Sequence, residues 1–227
     1  MKTVNLQSPI SNLKIMNNLN PHQGQPIATA GVPLAEASAA MILLHGRGAT
    51  AVSILELAPL LPHPQMAYLA PQAANQTWYP YSFLAPMAQN EPGLSSGLTA
   101  VSTLLTHIES AGIPASRVII GGFSQGACLA SEFVARNAQR FGGLLVFSGG
   151  VIGPPGTPRN YSGSLGGTPI FIGCSDVDFH IPVERVRETT AVLSQLGGHV
   201  TEKIYPNMGH TIIPDEIDHA RQIIDLL

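Results

Sequence analysis

Residues 117–130 read RVIIGGFSQGACLA. The branched apolar run at its start reads as a buried strand, and the small and apolar residues at its end open a helical pattern spanning 125–139. Ser124 therefore falls on a sharp strand-to-helix junction, between Gly122 and Gly126, in the pattern G-x-S-x-G. Two readings compete: the serine can be a helix cap and nothing more, or its hydroxyl can stand above a sheet as a nucleophile. The second reading needs small flanking residues for close approach and a strained turn. It also aims the amide of Gln125, with the positive end of the following helix, at the place where an oxyanion forms. The strand-turn-helix setting favours the nucleophile, although five residues alone are a weak signal.

Outward from this junction, apolar runs recur at 41–45 (MILLH), 66–70 (MAYLA), 144–150 (LLVFSGG), 169–174 (PIFIGC) and 199–206 (HVTEKIYP). Most are apolar on consecutive positions, which suits parallel strands covered on both faces. Helical patterns at 50–61, 94–111, 183–196 and 215–227 lie between and after them. Such alternation predicts an α/β fold with an open, mostly parallel sheet flanked by helices. With 227 residues, no linker and no internal repeat, a single domain over 1–227 is expected, without a separate cap domain. The N-terminal segment 1–39 fits least well, and ATAGVPLAEASAA at 28–40 is expected to hold one or two antiparallel edge strands turning at Gly31 and Pro33. Two long loops, 71–93 and 150–168, follow strand ends where open α/β sheets bind ligands.

Composition excludes several classes. Charged residues make up 11% and apolar ones 44% of the chain, which is too greasy for disorder. A net charge of −3 without a basic run argues against nucleic acid as partner. No segment has the length of a membrane span, nor does the N-terminus carry a signal-peptide stretch. Cys128 and Cys174 read as small buried hydrophobes, which leaves no cysteine metal site and points to a cytoplasmic protein. The low surface charge is compatible with a homodimer.

A serine hydroxyl needs a base to take its proton and an acid to orient that base. On a sheet of this kind the chain order is serine, acid, histidine. His210, in YPNMGHTIIPDE, lies in a loop punctuated by Pro206, Asn207 and Gly209 after the last strand, which suits a base better than His199 on a strand or His219 on a helix. FIGCSDVDFHIP supplies the acid from Asp176 or Asp178, and spacing does not choose between them. In LLHGRGAT (43–50), Gly46 and Gly48 let the amide of Arg47 turn inward as a second oxyanion donor. His45 reads as an orienting core residue, and the Arg47 side chain as a solvated charge or a contact for an anionic substrate.

In this order and spacing, LLHGRG, GGFSQGA, SDVDFHIP and YPNMGH resemble the phospholipase/carboxylesterase family of α/β-hydrolases, which includes acyl-protein thioesterases. The resemblance runs from about residue 40 to the C-terminus. It implies Ser124 as nucleophile, His210 as general base, Asp178 as the acid (the second of a D-x-D pair before an apolar residue and proline) and the amides of Arg47 and Gln125 as the oxyanion hole. TWYP at 77–80 resembles the aromatic segment beside the family's acyl site, implying Trp78 and Tyr79 as substrate-binding residues. The chain departs from the family at Cys174-Ser175, where His-Gly is common, and at Ala49. The activity so implied is hydrolysis of an acyl ester or thioester by a serine carboxylesterase, with no cofactor and no metal. A lysophospholipase or thioesterase acting on long acyl chains is the alternative within that chemistry. A catalytically silent binding protein on the same scaffold is the alternative outside it, and the intact serine, acid and histidine weigh against that. The acyl groove is expected between the aromatic loop at 78–83 and the loop after Gly150.

Overall fold

The computed structural model describes residues 19–227. Seven strands form one sheet in the order β1-β3-β2-β4-β5-β6-β7. They are β1 Ile27–Gly31, β2 Ala39–Leu44, β3 Met66–Pro71, β4 Val118–Phe123, β5 Gly143–Phe147, β6 Pro169–Ser175 and β7 His199–Tyr205. All neighbours are parallel except β1, which runs antiparallel to β3 at one edge. The expected α/β architecture is thus present. Of the edge strands expected within 28–40, one forms. Gly31 ends it at φ 77°, where a Cβ would lie 2.3 Å from the Met66 carbonyl oxygen, so only glycine fits. The remainder of the expectation for segment 1–39 falls partly on residues 1–18, outside the described residues.

Two apolar layers explain why β2 to β6 carry consecutive apolar residues. Ala40, Ile42 and Leu44 face one layer, with helices α2 (Gly93–Ser110), α3 (Gln125–Arg136) and α4 (Val183–Gln195). Ala39, Met41 and Leu43 face the other, with α1 (Ala51–Ile54) and α5 (Pro214–Ile224). Because successive side chains point to opposite faces, a strand covered twice has no position left for a polar residue. By contrast β7, at the other edge, alternates between exposed and half-buried positions.

The helix expected over 50–61 is shorter than the pattern implies. Thr50 and Ser53 cap α1 reciprocally, but the chain tightens into a 3-10 turn over Leu55–Leu60 containing Pro59. A proline lacks the amide that an α-helix would use there. The helix expected over 125–139 ends at Arg136, where the Asn137 side-chain amide donates to the Phe133 carbonyl 2.8 Å away. The result for function is positional: the loops after β2, β3, β4, β6 and β7 meet at the C-terminal rim of the sheet.

Candidate active site

Ser124 sits between β4 and α3 at φ 55°, ψ −118°, a region that costs a non-glycine residue on the order of 1–3 kcal/mol. Surrounding contacts hold it there. Its amide donates to the Phe147 carbonyl at the end of β5, 2.9 Å away, and the glycines permit the packing. A Cβ on Gly122 would meet Gly126 backbone at 2.6 Å, and one on Gly126 would meet the Leu44 carbonyl oxygen at 2.1 Å. The Ser124 side chain makes no capping bond to α3, which leaves the plain cap reading without support.

Instead the Ser124 hydroxyl lies 2.8 Å from Nε2 of His210, and Nδ1 of His210 lies 2.6 Å from Oδ2 of Asp178. Three loops thereby bring their side chains into one line. The Asp178 side chain is fully buried, and its second oxygen accepts the amides of His180 and Ile181 at 2.8 and 3.1 Å. Burial works against its charged form, but the hydrogen bond to His210 and those two amides outweigh it and hold the carboxyl below the usual carboxylate range. Asp176 has a different place: it accepts the Asn207 amide at 2.7 Å and so braces the turn that presents His210. Phe123 packs its ring 4.8 Å from that of His210. Behind the acid, where the sequence departs from the family pattern, the Cys174 thiol lies 3.9 Å from Oδ2 of Asp178. Burial pushes this thiol up to about 12, so it stays protonated beside the carboxylate.

The backbone amides of Arg47 and Gln125 donate no hydrogen bond among the described residues. Gln125 opens α3, where the first amides of a helix have no intrahelical partner, and Arg47 lies in an exposed turn; both residues line the cleft with Ser124, where the oxyanion pair is expected. The side chains of the same two residues do something the sequence reading missed. Oε1 of Gln125 accepts the Trp78 amide at 3.0 Å, and its Nε2 donates to the Tyr79 carbonyl at 2.8 Å. Arg47 donates to Thr77 Oγ1, the Pro80 carbonyl and the Tyr81 carbonyl at 2.9, 2.9 and 2.7 Å. Residues 77–81 are therefore gripped from both sides.

The serine opens into a cleft of about 600 Å³, with Arg47, Tyr79, Phe83, Phe123, His180 and Ile181 among its lining. Of the two expected substrate-binding residues, Tyr79 lines this cleft. Trp78 does not, and that expectation is corrected: its indole is fully buried and donates to the His45 carbonyl at 2.9 Å. An indole N–H needs such a partner when buried, and that bond turns the ring into the core. His45 is a core residue as expected, accepting the Ala73 amide on Nε2 at 3.1 Å while Nδ1 donates to the Gly46 carbonyl at 2.8 Å. The loop after Gly150 is also corrected, because it forms no cleft wall. The Ile152 amide reaches Glu132 at 2.9 Å and Arg159 pairs with Glu188 at 2.8 Å, which draws the loop onto α3 and α4. Phe123, Ile181 and His180 line the cleft and were not singled out for it. Phe123 and His180 adjoin residues that were, Ser124 and the Asp178 loop, and adjacency was the available signal.

Both cysteines are free and buried. Among the described residues no helix is long and apolar enough to cross a membrane.

A sequence model of the Phospholipase/Carboxylesterase family matches residues 30–227. The crystal structure of a phospholipase/carboxylesterase from Dyadobacter fermentans is 44% identical and superimposes with a TM-score of 0.86, covering 88% of this chain and 97% of that one. A probable carboxylesterase of Oryza sativa is 26% identical over 202 residues, 81% of this chain and 86% of its own. Acyl-protein thioesterase 1 of Debaryomyces hansenii is 29% identical over 148 residues, 64% of each chain.

Proposed function

The chain belongs to the phospholipase/carboxylesterase family of ester hydrolases, and from that premise we propose that it cleaves acyl esters through a Ser124–His210–Asp178 triad and an acyl-enzyme intermediate. The observation that carries this reading is the unbroken line from the Ser124 hydroxyl through both nitrogens of His210 to Asp178, on an elbow beside two unpaired amides.

Ser124 Oγ attacks the ester carbonyl while His210 Nε2 takes its proton. Asp178, held below the usual carboxylate range, keeps the Nδ1–H tautomer in place and stabilises the imidazolium. Negative charge on the tetrahedral oxygen is met by the amides of Arg47 and Gln125 and by the positive end of α3. Collapse expels the alcohol, which receives the proton from Nε2, and leaves the acyl group on Oγ. Water then repeats the sequence, freeing the acid and restoring the serine. The same steps serve a thioester, with a thiol as leaving group, and the thioesterase relative keeps that substrate within the proposal. The free, buried cysteines fit a cytoplasmic setting.

A fluorophosphonate probe tests the nucleophile. The wild type is expected to label on one serine, and Ser124→Ala to lose both the label and p-nitrophenyl ester hydrolysis by roughly 10⁴-fold or more. Labelling that survives in Ser124→Ala, or a folded wild type that never labels, would overturn the proposal.

A further inference from the structure

We propose that the cleft is built for esters that carry a negative charge, with the Arg47 guanidinium as the group that meets it. This deepens the esterase reading above and rests on it. Arg47 is exposed, yet it is not a freely waving charge. Three of its five N–H groups are taken by Thr77 Oγ1 and the carbonyls of Pro80 and Tyr81, and its guanidinium carbon lies 6.0 Å from the centroid of the Tyr79 ring. All of these partners are neutral. Among the described residues no carboxylate pairs with Arg47, nor with Arg117, Arg140 or Arg187, whereas Arg136, Arg159, Arg185 and Arg221 each have one. Two N–H groups remain, on Nε and Nη2, free to donate to a carboxylate or phosphate.

The rest of the cleft adds no negative charge to compensate it. None of its lining residues is Asp or Glu, and Asp178 is screened behind His210, with both oxygens already engaged. His180 brings a second imidazole into the lining, 4.9 Å from the His210 ring and edge-on to it, with no hydrogen bond to its ring among the described residues. The N-terminal end of α3 points a positive potential at Ser124, the same sign as the Arg47 guanidinium. Arg47 and the helix end therefore favour anions together, with the His180 imidazole beside them as a polar side chain of the lining, between walls made by Tyr79, Phe83, Phe123 and Ile181 that focus the field. Arg117 and Arg140 also fasten backbone carbonyls without a carboxylate partner; what sets Arg47 apart is that its charge lies in the lining of the cleft into which Ser124 opens.

Two matched ester pairs test this. p-Nitrophenyl butyrate against mono-p-nitrophenyl succinate places the charge on the acyl side, and phenyl acetate against 4-acetoxybenzoate places it on the alcohol side. With each ester's rate corrected for its reactivity toward hydroxide, kcat/KM for the charged member of at least one pair should exceed its neutral mate by about tenfold. That advantage should shrink as ionic strength rises toward about 1 M. The pair that shows it identifies the side of the ester that bears the charge. Arg47→Gln is expected to slow both members, because the loop loses its clamp, and to bring the ratio to about one. Arg47→Lys should keep part of the preference. A ratio of one or less in both pairs, or a preference that Arg47→Gln leaves intact, would overturn the inference. Should Arg47→Gln not fold, the salt dependence of the wild type and the Arg47→Lys ratio decide the same question. Hydrolysis of none of the four esters by folded protein would sink the esterase reading itself, and this inference with it.

Discussion

Gln125 does two jobs with two ends. Its backbone amide is idle beside Ser124, while its side chain completes a miniature ladder with the Trp78 amide and the Tyr79 carbonyl. Truncation in Gln125→Ala leaves a buried donor and a buried acceptor without partners, a loss of about 1–3 kcal/mol each where water cannot replace them. Urea unfolding should therefore show a clear fall in stability. Turnover should fall too, although the amide of residue 125 is still present, because the cleft wall loosens. Gln125→Met, which keeps the volume without the polar atoms, should behave like Gln125→Ala; a near-normal Met variant would mean that packing, not hydrogen bonding, holds the loop. None of this was legible locally, since the partners lie 47 and 46 residues away and no periodicity marks such a contact. Asp178 was half legible. The loop that had to carry an acid was evident from strand order, but the choice over Asp176 came from family resemblance. The structure gives the two carboxylates separate work: one lies against His210, and the other braces its loop at Asn207.

At the scale of elements, the crossing of β2, β4 and α3 leaves almost no room. Gly126, the second residue of α3, packs directly against the end of β2, and a methyl group there would lie 2.1 Å from the Leu44 carbonyl oxygen. Gly126→Ala must push the helix off the sheet, and because backbone on both sides is hydrogen-bonded, the cost should reach several kcal/mol. Thermal unfolding should register a large drop or no folded protein, whereas Gly48→Ala, where a Cβ would touch nothing within 4 Å but φ is 76°, should cost about 1 kcal/mol. Strands and helices were readable because a doubly covered sheet imposes its apolar runs on the sequence. The two long loops looked equivalent, each following a strand end, and yet only 71–93 walls the cleft. What separates them is the anchoring of the second loop, whose Ile152 amide and Tyr161 hydroxyl donate to Glu132 and whose Arg159 pairs with Glu188, contacts between distant residues that composition does not reveal.

For the molecule as a whole, buried titrating groups pull stability in opposite directions along the pH scale. Glu216, fully buried at the start of α5, accepts the Ile213 amide with one oxygen and has no partner for the other among the described residues. Burial pushes its carboxyl up from 4.5 to about 7, so the folded protein keeps a proton that the unfolded chain releases. Its contribution is present below pH 4.5 and is lost as pH rises through about 7. Glu216→Gln cannot ionise, so between pH 4.5 and 8 its stability relative to wild type should improve by about 1–3 kcal/mol. Urea midpoints across that range would measure it, and parallel curves would refute it. His22 and His45 act the other way. Burial lowers both below 6.5, so what they contribute is present above pH 6.5 and is lost as pH falls through their folded values. The pair anchors the loop after β3: His22 accepts the Ala74 amide and His45 the Ala73 amide. Residues 77–81, held by Arg47 from one side and Gln125 from the other, are consequently not an exchangeable part. A library aimed at new substrates that swaps this segment alone would dismantle the supports of both idle amides at once. Diversity introduced at Phe83 and Ile181, whose side chains reach the cleft without carrying that frame, leaves the chemistry standing while the cavity changes shape.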